Sequence, residues 1–165
     1  MKNLEKVIAI KGGSQCGKSS ALRLLIAILS REFVIKVCKN IRDGKARDPK
    51  KWGKAGDRKA VVVMDDRKVA IYTAGDSGAE VLRAFKWAEE KECNYLVLAV
   101  NTDKYCDKGA QKAFNDELSR LQVPRASVKR LTLAHIGAKI PKGKIQLCIK
   151  FLKAVDSVLD ALKNL

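Results

Sequence analysis

The chain has 165 residues, of which 47% are hydrophobic, enough to bury the core of one domain without disulfides or structural metal. This composition excludes collagen, intrinsic disorder and disulfide-rich scaffolds. With 34 Lys and Arg against 18 Asp and Glu, the formal net charge is +16, which either serves solubility alone or attracts a polyanion such as nucleic acid, an anionic membrane or a phosphorylated small molecule.

The first predicted elements are a strand, a tight loop and a helix. Val7 to Ile10 is an apolar run that ends before two glycines, as expected of a buried strand. From Gly17 to about Ser30, leucine and isoleucine recur at helical spacing, which predicts a helix with one apolar face. A second strand is predicted at Phe33 to Cys38. Lys39 to Lys59 then carries nine Lys or Arg against three Asp, and we predict a basic loop there.

Strands and helices alternate through the rest of the chain. Two β-rich runs, Ala60 to Met64 and Val69 to Thr73, have a spacing typical of an antiparallel hairpin. The later elements are a helix over Gly78 to Lys91, a strand over Tyr95 to Val100, a helix over Gly109 to Leu121, a strand over Ser127 to His135 and a helix from Lys144 onward. This order predicts a single domain over residues 1–165 with an α/β fold, a three-layer sandwich of helices around a mainly parallel sheet with one antiparallel hairpin.

One motif lies between the first strand and the first helix. Residues 12–19 read GGSQCGKS and match G-x-x-x-x-G-K-[ST], in the context that phosphate binding requires. Gly12 and Gly17 permit backbone conformations that turn successive N–H groups toward a phosphate. Lys18 would reach the β and γ phosphates, and the Ser19 hydroxyl would ligate Mg²⁺. The residues predicted to contact the nucleotide here are Gly12, Gly13, Ser14, Gln15, Cys16, Gly17, Lys18, Ser19 and Ser20.

The segment around this motif is similar to the Walker A segment of P-loop NTPases. The resemblance implies the three-layer P-loop fold and binding of ATP or GTP with Mg²⁺. It also implies either hydrolysis of the nucleotide or phosphoryl transfer.

The acid that would complete the metal site is left open among four aspartates. Asp65 and Asp66 follow an apolar run, as in a Walker B strand, and are equally good residues for a hairpin turn. Asp103 follows the most apolar strand, and Asp76 follows another. We assign catalytic roles to Lys18, Asp66 and Asp76, and metal binding to Ser19, Asp65 and Asp103.

Residues 72–76, which read YTAGD, resemble the switch segment D-T-A-G-Q of small G proteins. The resemblance implies that Gly75 contacts the γ-phosphate and that Asp76 takes the place of the water-orienting glutamine, while Tyr72 replaces the metal-linked aspartate. The alternative is that Gly75 only ends a strand, with Asp76 or Ser77 as the N-cap of the next helix. A strand directly after the first helix is more typical of nucleotide kinases and related ATPases, so ATP is expected rather than GTP.

Three functions fit the basic loop. It could contact nucleic acid, with Trp52 stacked on a base; it could be the lid or acceptor site of a kinase; or it could be a solvated linker. A second basic set, which includes Arg125, Lys129 and Arg130, surrounds the last strand and spreads the charge. That spread favours an extended polyanion.

The cysteines and the apolar runs indicate where the protein resides. Five cysteines without C-x-x-C spacing, and a single histidine, His135, do not suit a zinc site, and they fit a reducing cytoplasm. No apolar run is long enough to span a membrane. The sequence therefore predicts a cytoplasmic, Mg²⁺-dependent ATPase that couples its nucleotide state to a polyanionic partner such as nucleic acid. The alternatives are a small-molecule or nucleotide kinase, and a low-turnover nucleotide-binding switch.

Overall fold

A computed structural model describes residues 4–13, 17–51, 56–102, 109–133 and 144–164, with side chains in the last helix described from residue 152 onward. The strands are β1 (Lys6–Gly12), β2 (Val34–Asn40), β3 (Arg58–Met64), β4 (Arg67–Tyr72), β5 (Tyr95–Asn101) and β6 (Val128–Thr132). The helices are α1 (Lys18–Glu32), α2 (Gly78–Glu90), α3 (Ala110–Arg120) and α4 (Lys144–Lys163).

The strands form one six-stranded sheet in the order β2-β3-β4-β5-β1-β6. The four strands β4, β5, β1 and β6 are parallel to one another, whereas β3 is antiparallel to both β2 and β4. Parallel neighbours need a crossover, and α2 provides it between β4 and β5. The prediction of an α/β fold with a mainly parallel sheet and an antiparallel hairpin is confirmed.

Helices pack on both faces of the sheet because successive strand residues point to opposite faces. On one face, α1 and α4 cover a cluster that includes Ile8 and Val97. On the other face, α2 and α3 cover a cluster that includes Ala9 and Leu98. All seven residues of β5 are buried, as expected of a strand covered on both sides.

The turn of the β3–β4 hairpin consists of Asp65 and Asp66, with Met64 paired to Arg67. Asp65 has a φ of 54°, a left-handed conformation that aspartate tolerates better than most residues. The turn lies at the amino end of β4. It is therefore on the edge of the sheet opposite to the carboxyl ends of the parallel strands.

The predicted basic loop is shorter in the structure than in the sequence prediction. β2 extends to Asn40 and β3 begins at Arg58, so the ends of that segment are paired strands. Between them, Lys39 bridges Ala46, and the side chain of Asn40 accepts the N–H of Arg42. The two strands extend into the predicted loop because β2 and β3 pair with each other, and the local composition does not reveal this pairing. Trp52 lies outside the described residues.

The last predicted strand is also shorter than expected. β6 ends at Thr132, and Arg125–Ser127 form a 3₁₀ turn before it. His135 lies outside the described residues. Within the described ranges, none of the helices has the length and hydrophobicity needed to cross a membrane.

Candidate functional site

The glycine-rich loop, residues 12–19, joins the end of β1 to the start of α1. Gly12 is opposite Asn101 in β5, and its carbonyl accepts the N–H of Thr102 at 3.0 Å. Gly17 is the N-cap of α1 with a φ of 94°, a left-handed conformation that favours glycine. Both ends of the loop are thus anchored in regular structure, at what we call the loop edge of the sheet, where β1, β4, β5 and β6 end. Ser14, Gln15 and Cys16 lie outside the described residues.

Lys18 is the first residue of α1 and is only 5% exposed. Its Nζ donates to the carbonyl of Gly13 at 2.7 Å, which holds the amine against the loop. The first turn of α1 contains no acidic residue, and Gly17 offers no side-chain cap to the helix N–H groups. A buried amine beside a helix start whose N-cap residue has no side chain favours a bound anion, since the amine and the helix N-terminus both contribute positive charge.

Ser19 and Ser20 are both engaged in hydrogen bonds. The Ser19 Oγ donates to the carbonyl of Thr73 at 2.9 Å, which connects α1 to the end of β4. Because the hydroxyl donates its proton in this bond, the lone pairs of Oγ can still accept a hydrogen bond or bind a cation. Ser20 Oγ accepts from the Arg23 guanidinium at 3.0 Å.

Asp57 is the carboxylate that the structure connects to Ser19, through Thr73. The Thr73 hydroxyl donates to Asp57 Oδ1 at 3.0 Å and accepts the N–H of Arg58 at 2.8 Å. Asp57 directly precedes β3, and because β3 is antiparallel to β4, its amino end lies at the loop edge. In the sequence, this residue stands out only as one of the three acids in the basic loop. The signal that could have revealed it is its place just before a strand that pairs with the YTAGD strand.

Two arginines flank Asp57. Arg23 is half-buried and donates to the carbonyl of Gly56 at 3.3 Å. Burial lowers the pKa of Arg23, the charge of Asp57 opposes this shift and that of Arg58 adds to it. Arg58 is 3% exposed and donates to the carbonyl of Asp48 at 3.2 Å. The loop edge therefore has several buried or half-buried cations around one carboxylate.

Gly75 has a packing reason to be glycine. A Cβ atom added there would lie 1.8 Å from the carbonyl oxygen of Ala99 in β5. The Gly75 carbonyl accepts the N–H of Asn101 at 2.9 Å, which continues the contact between the chain after β4 and β5. This close approach brings Thr73 and Asp76 to the loop edge.

Asp76 is exposed directly after Gly75, and its N–H donates to Glu80 Oε2 at 2.8 Å. The N-cap of α2 is Ser77, whose side chain accepts the N–H of Glu80 at 3.3 Å. Of the two N-cap alternatives, the structure selects Ser77. The carboxylate of Asp76 is left at the loop edge without a capping role.

Two of the other predicted acids, Asp65 and Asp66, are not brought to the loop. Asp65 and Asp66 form the hairpin turn at the opposite edge of the sheet, so strand direction separates them from Ser19. Asp103 lies outside the described residues. The strands beside β1 are β5 and β6, and β4, which precedes Asp76, is one strand further away.

The described residues contain no cluster of three or more His, Cys, Asp or Glu side chains that could hold a metal ion. A cation at the loop edge would therefore need oxygen ligands from a bound molecule in addition to those of the protein. Mg²⁺ is commonly held in this way, by one or two protein oxygens together with substrate phosphates and water.

No model of a known protein family matches this chain, and no curated protein matches it significantly. The residues of the loop edge are therefore the main evidence for function.

Proposed function

We propose that this protein is a Mg²⁺-dependent P-loop ATPase that couples its nucleotide state to a polyanionic partner such as nucleic acid. The observation that carries the proposal is the buried Lys18 amine, held against Gly13 at the start of a helix whose N-cap is glycine. In this proposal the amine and the helix N-terminus stabilise the negative charge that develops on the β and γ phosphate oxygens in the transition state.

The oxygen donors at the loop edge suit Mg²⁺, which prefers hard oxygen ligands. Ser19 keeps its lone pairs because its proton is donated to Thr73, and Asp57 supplies a carboxylate on the other side of Thr73. We assign these two residues to the metal, Ser19 directly and Asp57 directly or through water. The ion would neutralise phosphate charge, and exposed Asp76 would orient the attacking water.

Titration calorimetry with ATP, in the presence and absence of Mg²⁺, tests the proposal. We expect saturable binding of ATP that strengthens with Mg²⁺, and much weaker binding of AMP, which lacks the β and γ phosphates that Lys18 recognises. If AMP binds as tightly as Mg²⁺–ATP, or if neither binds, the glycine-rich loop is not a triphosphate site.

Asp57→Asn tests the metal assignment. Asparagine keeps an oxygen that can accept the Thr73 hydroxyl, so the local structure is retained and only the charge is lost. We expect Mg²⁺–ATP affinity to fall by about tenfold, while affinity for Mg²⁺-free ATP stays equal or rises because a negative charge near the phosphates is removed.

The matched control is Asp66→Asn, which makes the same charge change in the exposed turn at the opposite edge. It should bind Mg²⁺–ATP like the wild type. If Asp66→Asn weakens Mg²⁺-dependent binding and Asp57→Asn does not, our assignment of the acid is incorrect. Loss in Asp76→Asn alone would assign that role to Asp76 instead.

A further inference from the structure

A groove lies between α2 and the β3–β4 part of the sheet, on the face opposite to α1. Its volume is about 340 Å³. The lining residues come from the connection after β2, from two strands and from α2; they are Ile41, Lys59, Tyr72, Arg83, Lys86, Trp87 and Glu90. Lys59 and Tyr72 are near the ends of their strands at the loop edge, so one end of the groove lies close to that edge.

The groove has an excess of positive charge. Lys59, Arg83 and Lys86 line it against one acid, the exposed Glu90. Lys39 in β2 is directly opposite Lys59 in the antiparallel ladder, so both lysines project from the same face. Like charges at directly opposed positions destabilise a sheet unless an anion lies between or above them.

These cations are not neutralised within the described part of the chain. There, no carboxylate comes within 4.0 Å of the charged nitrogens of Lys39, Lys59, Arg83 or Lys86. Lys59 is held instead over the ring of Trp87, 5.3 Å from its centroid. Burial raises the pKa of Tyr72, the charge of Arg83 opposes the shift, and the charges of Glu80 and Asp57 add to it. The four positive charges therefore remain available to an external anion.

The aromatic residues of the groove are part of its floor. Trp87 is 6% exposed and Tyr72 is 2% exposed, and their ring centroids are 6.1 Å apart. Rings buried to this degree cannot stack on a nucleobase. The positive charges of the groove can therefore attract phosphates, whereas its described aromatic rings are too buried to stack on bases.

The arrangement of the cations favours a chain of phosphates. Arg83 and Lys86 are three residues apart on one face of α2, a rise of about 4.5 Å, and Lys59 and Lys39 lie on two neighbouring strands, so the cations are distributed over three elements. A small-molecule site needs several polar groups that converge on one ligand. Apart from the cations and Glu90, the polar groups among the described lining side chains are the Tyr72 hydroxyl and the Trp87 indole N–H, and both side chains are almost fully buried.

We propose that this groove, with the neighbouring Lys39, binds the phosphate backbone of a single-stranded nucleic acid without regard to base. This inference rests on the proposed function, in which the protein has a polyanionic partner, and it identifies the surface where that partner binds. The groove also has a route to the nucleotide site: Tyr72 in its floor is followed by Thr73, which accepts from Ser19 and donates to Asp57. A nucleic-acid strand in the groove and a nucleotide at the glycine-rich loop would thus contact adjacent residues of the same chain segment.

Fluorescence anisotropy with a labelled oligothymidylate of about 20 nucleotides, in the absence of ATP, tests the inference. The groove variant is Arg83→Gln with Lys86→Gln, two exposed positions on α2. The control is Lys112→Gln with Lys153→Gln, which removes the same charge from exposed positions on α3 and α4. We expect the groove variant to bind about tenfold more weakly at about 50 mM salt, with a salt dependence reduced by about 1.4 logarithmic units per decade, since each phosphate contact contributes about 0.7.

The control variant should bind like the wild type, and oligoadenylate should bind like oligothymidylate. Glu90→Gln should tighten binding by about twofold, because it removes the acid that repels phosphates. The inference is overturned if the groove variant and the control bind equally well. It is also overturned if the wild type binds a nucleoside monophosphate as tightly as the oligonucleotide, since the groove would then be an acceptor site.

If the wild type binds no oligonucleotide at any salt concentration, two claims are rejected: that the protein has a nucleic-acid partner, and that this partner binds in the groove. If the wild type binds the oligonucleotide and the groove variant binds it equally well, the proposed polyanionic partner is supported but binds elsewhere on the protein. ATP affinity, measured in parallel, should be unchanged in the groove variant because neither substituted residue lies in the glycine-rich loop.

Discussion

Lys18→Met should abolish most of the Mg²⁺–ATP affinity while leaving the protein folded. Methionine keeps the unbranched apolar stem that fills the site and removes the charged amine, which the structure holds 2.7 Å from the Gly13 carbonyl. A charge-assisted hydrogen bond to a phosphate contributes about 2–3 kcal/mol, so we expect an affinity loss of roughly 30- to 150-fold. Calorimetric titration with Mg²⁺–ATP measures it.

The free energy of unfolding should change little in Lys18→Met. The amine is almost fully buried, so its removal relieves a desolvation cost at the same time as it removes a hydrogen bond. Loss of binding together with an unchanged urea midpoint would identify the amine as a ligand group. Loss of both would instead indicate a structural role.

Lys11→Met is the matched control for Lys18→Met. Lys11 precedes Gly12 in β1, and its amine lies 6.0 Å from the centroid of the Phe114 ring, on the α2–α3 face of the sheet. The variant removes the same charge from a neighbouring position and should keep wild-type affinity. If Lys18→Met binds Mg²⁺–ATP as tightly as Lys11→Met, the amine of Lys18 does not recognise the nucleotide.

Gly75→Ala should destabilise the protein by about 3 kcal/mol or more. The added Cβ would lie 1.8 Å from the oxygen and 2.5 Å from the carbon of the Ala99 carbonyl, and these backbone atoms belong to a central, fully buried strand. Relief would require the chain after β4 to move away from β5, with loss of the bond between Gly75 and Asn101. Urea denaturation should show the loss as a lower midpoint.

Gly13→Ala is the stability control for Gly75→Ala. A Cβ at residue 13 meets no atom of the described residues within 4 Å, so the unfolding free energy of Gly13→Ala should stay within about 1 kcal/mol of the wild type. If Gly75→Ala is as stable as Gly13→Ala, β4 and β5 tolerate the methyl group. The role of Gly75 would then have to be sought in a ligand contact, as the resemblance to small G proteins implies.

Local signals in the sequence located much of the loop edge. The strand β1 and the helix α1 were predicted because apolar periodicity and glycine position depend on neighbouring residues alone. The same signals left Gly75 ambiguous, because the atoms that exclude a side chain there belong to Ala99 in another strand. Periodicity does not report which strands are neighbours.

The sequence does not indicate that Asp57, rather than Asp65 or Asp66, lies at the loop edge, for a related reason. All three flank β3, and only the antiparallel pairing of β3 with β4 decides which end of β3 reaches the loop. The cations of the groove were also not foreseen as a group, since Lys59 and Arg83 lie on separate elements and meet only through the packing of α2 on the sheet. The composition shows how many positive charges the chain carries, but it does not show that these residues share one surface.

The sequence by itself determined the α/β alternation, the glycine-rich segment between a strand and a helix, and the large positive charge, because each depends on composition or on short-range spacing. The tertiary structure decided the order in which β5 separates β1 from β4, the contact of Ser19 with Thr73 and Asp57, and the gathering of lysine and arginine beside α2. These features arise from strand direction and register, which bring together residues that are far apart in the chain.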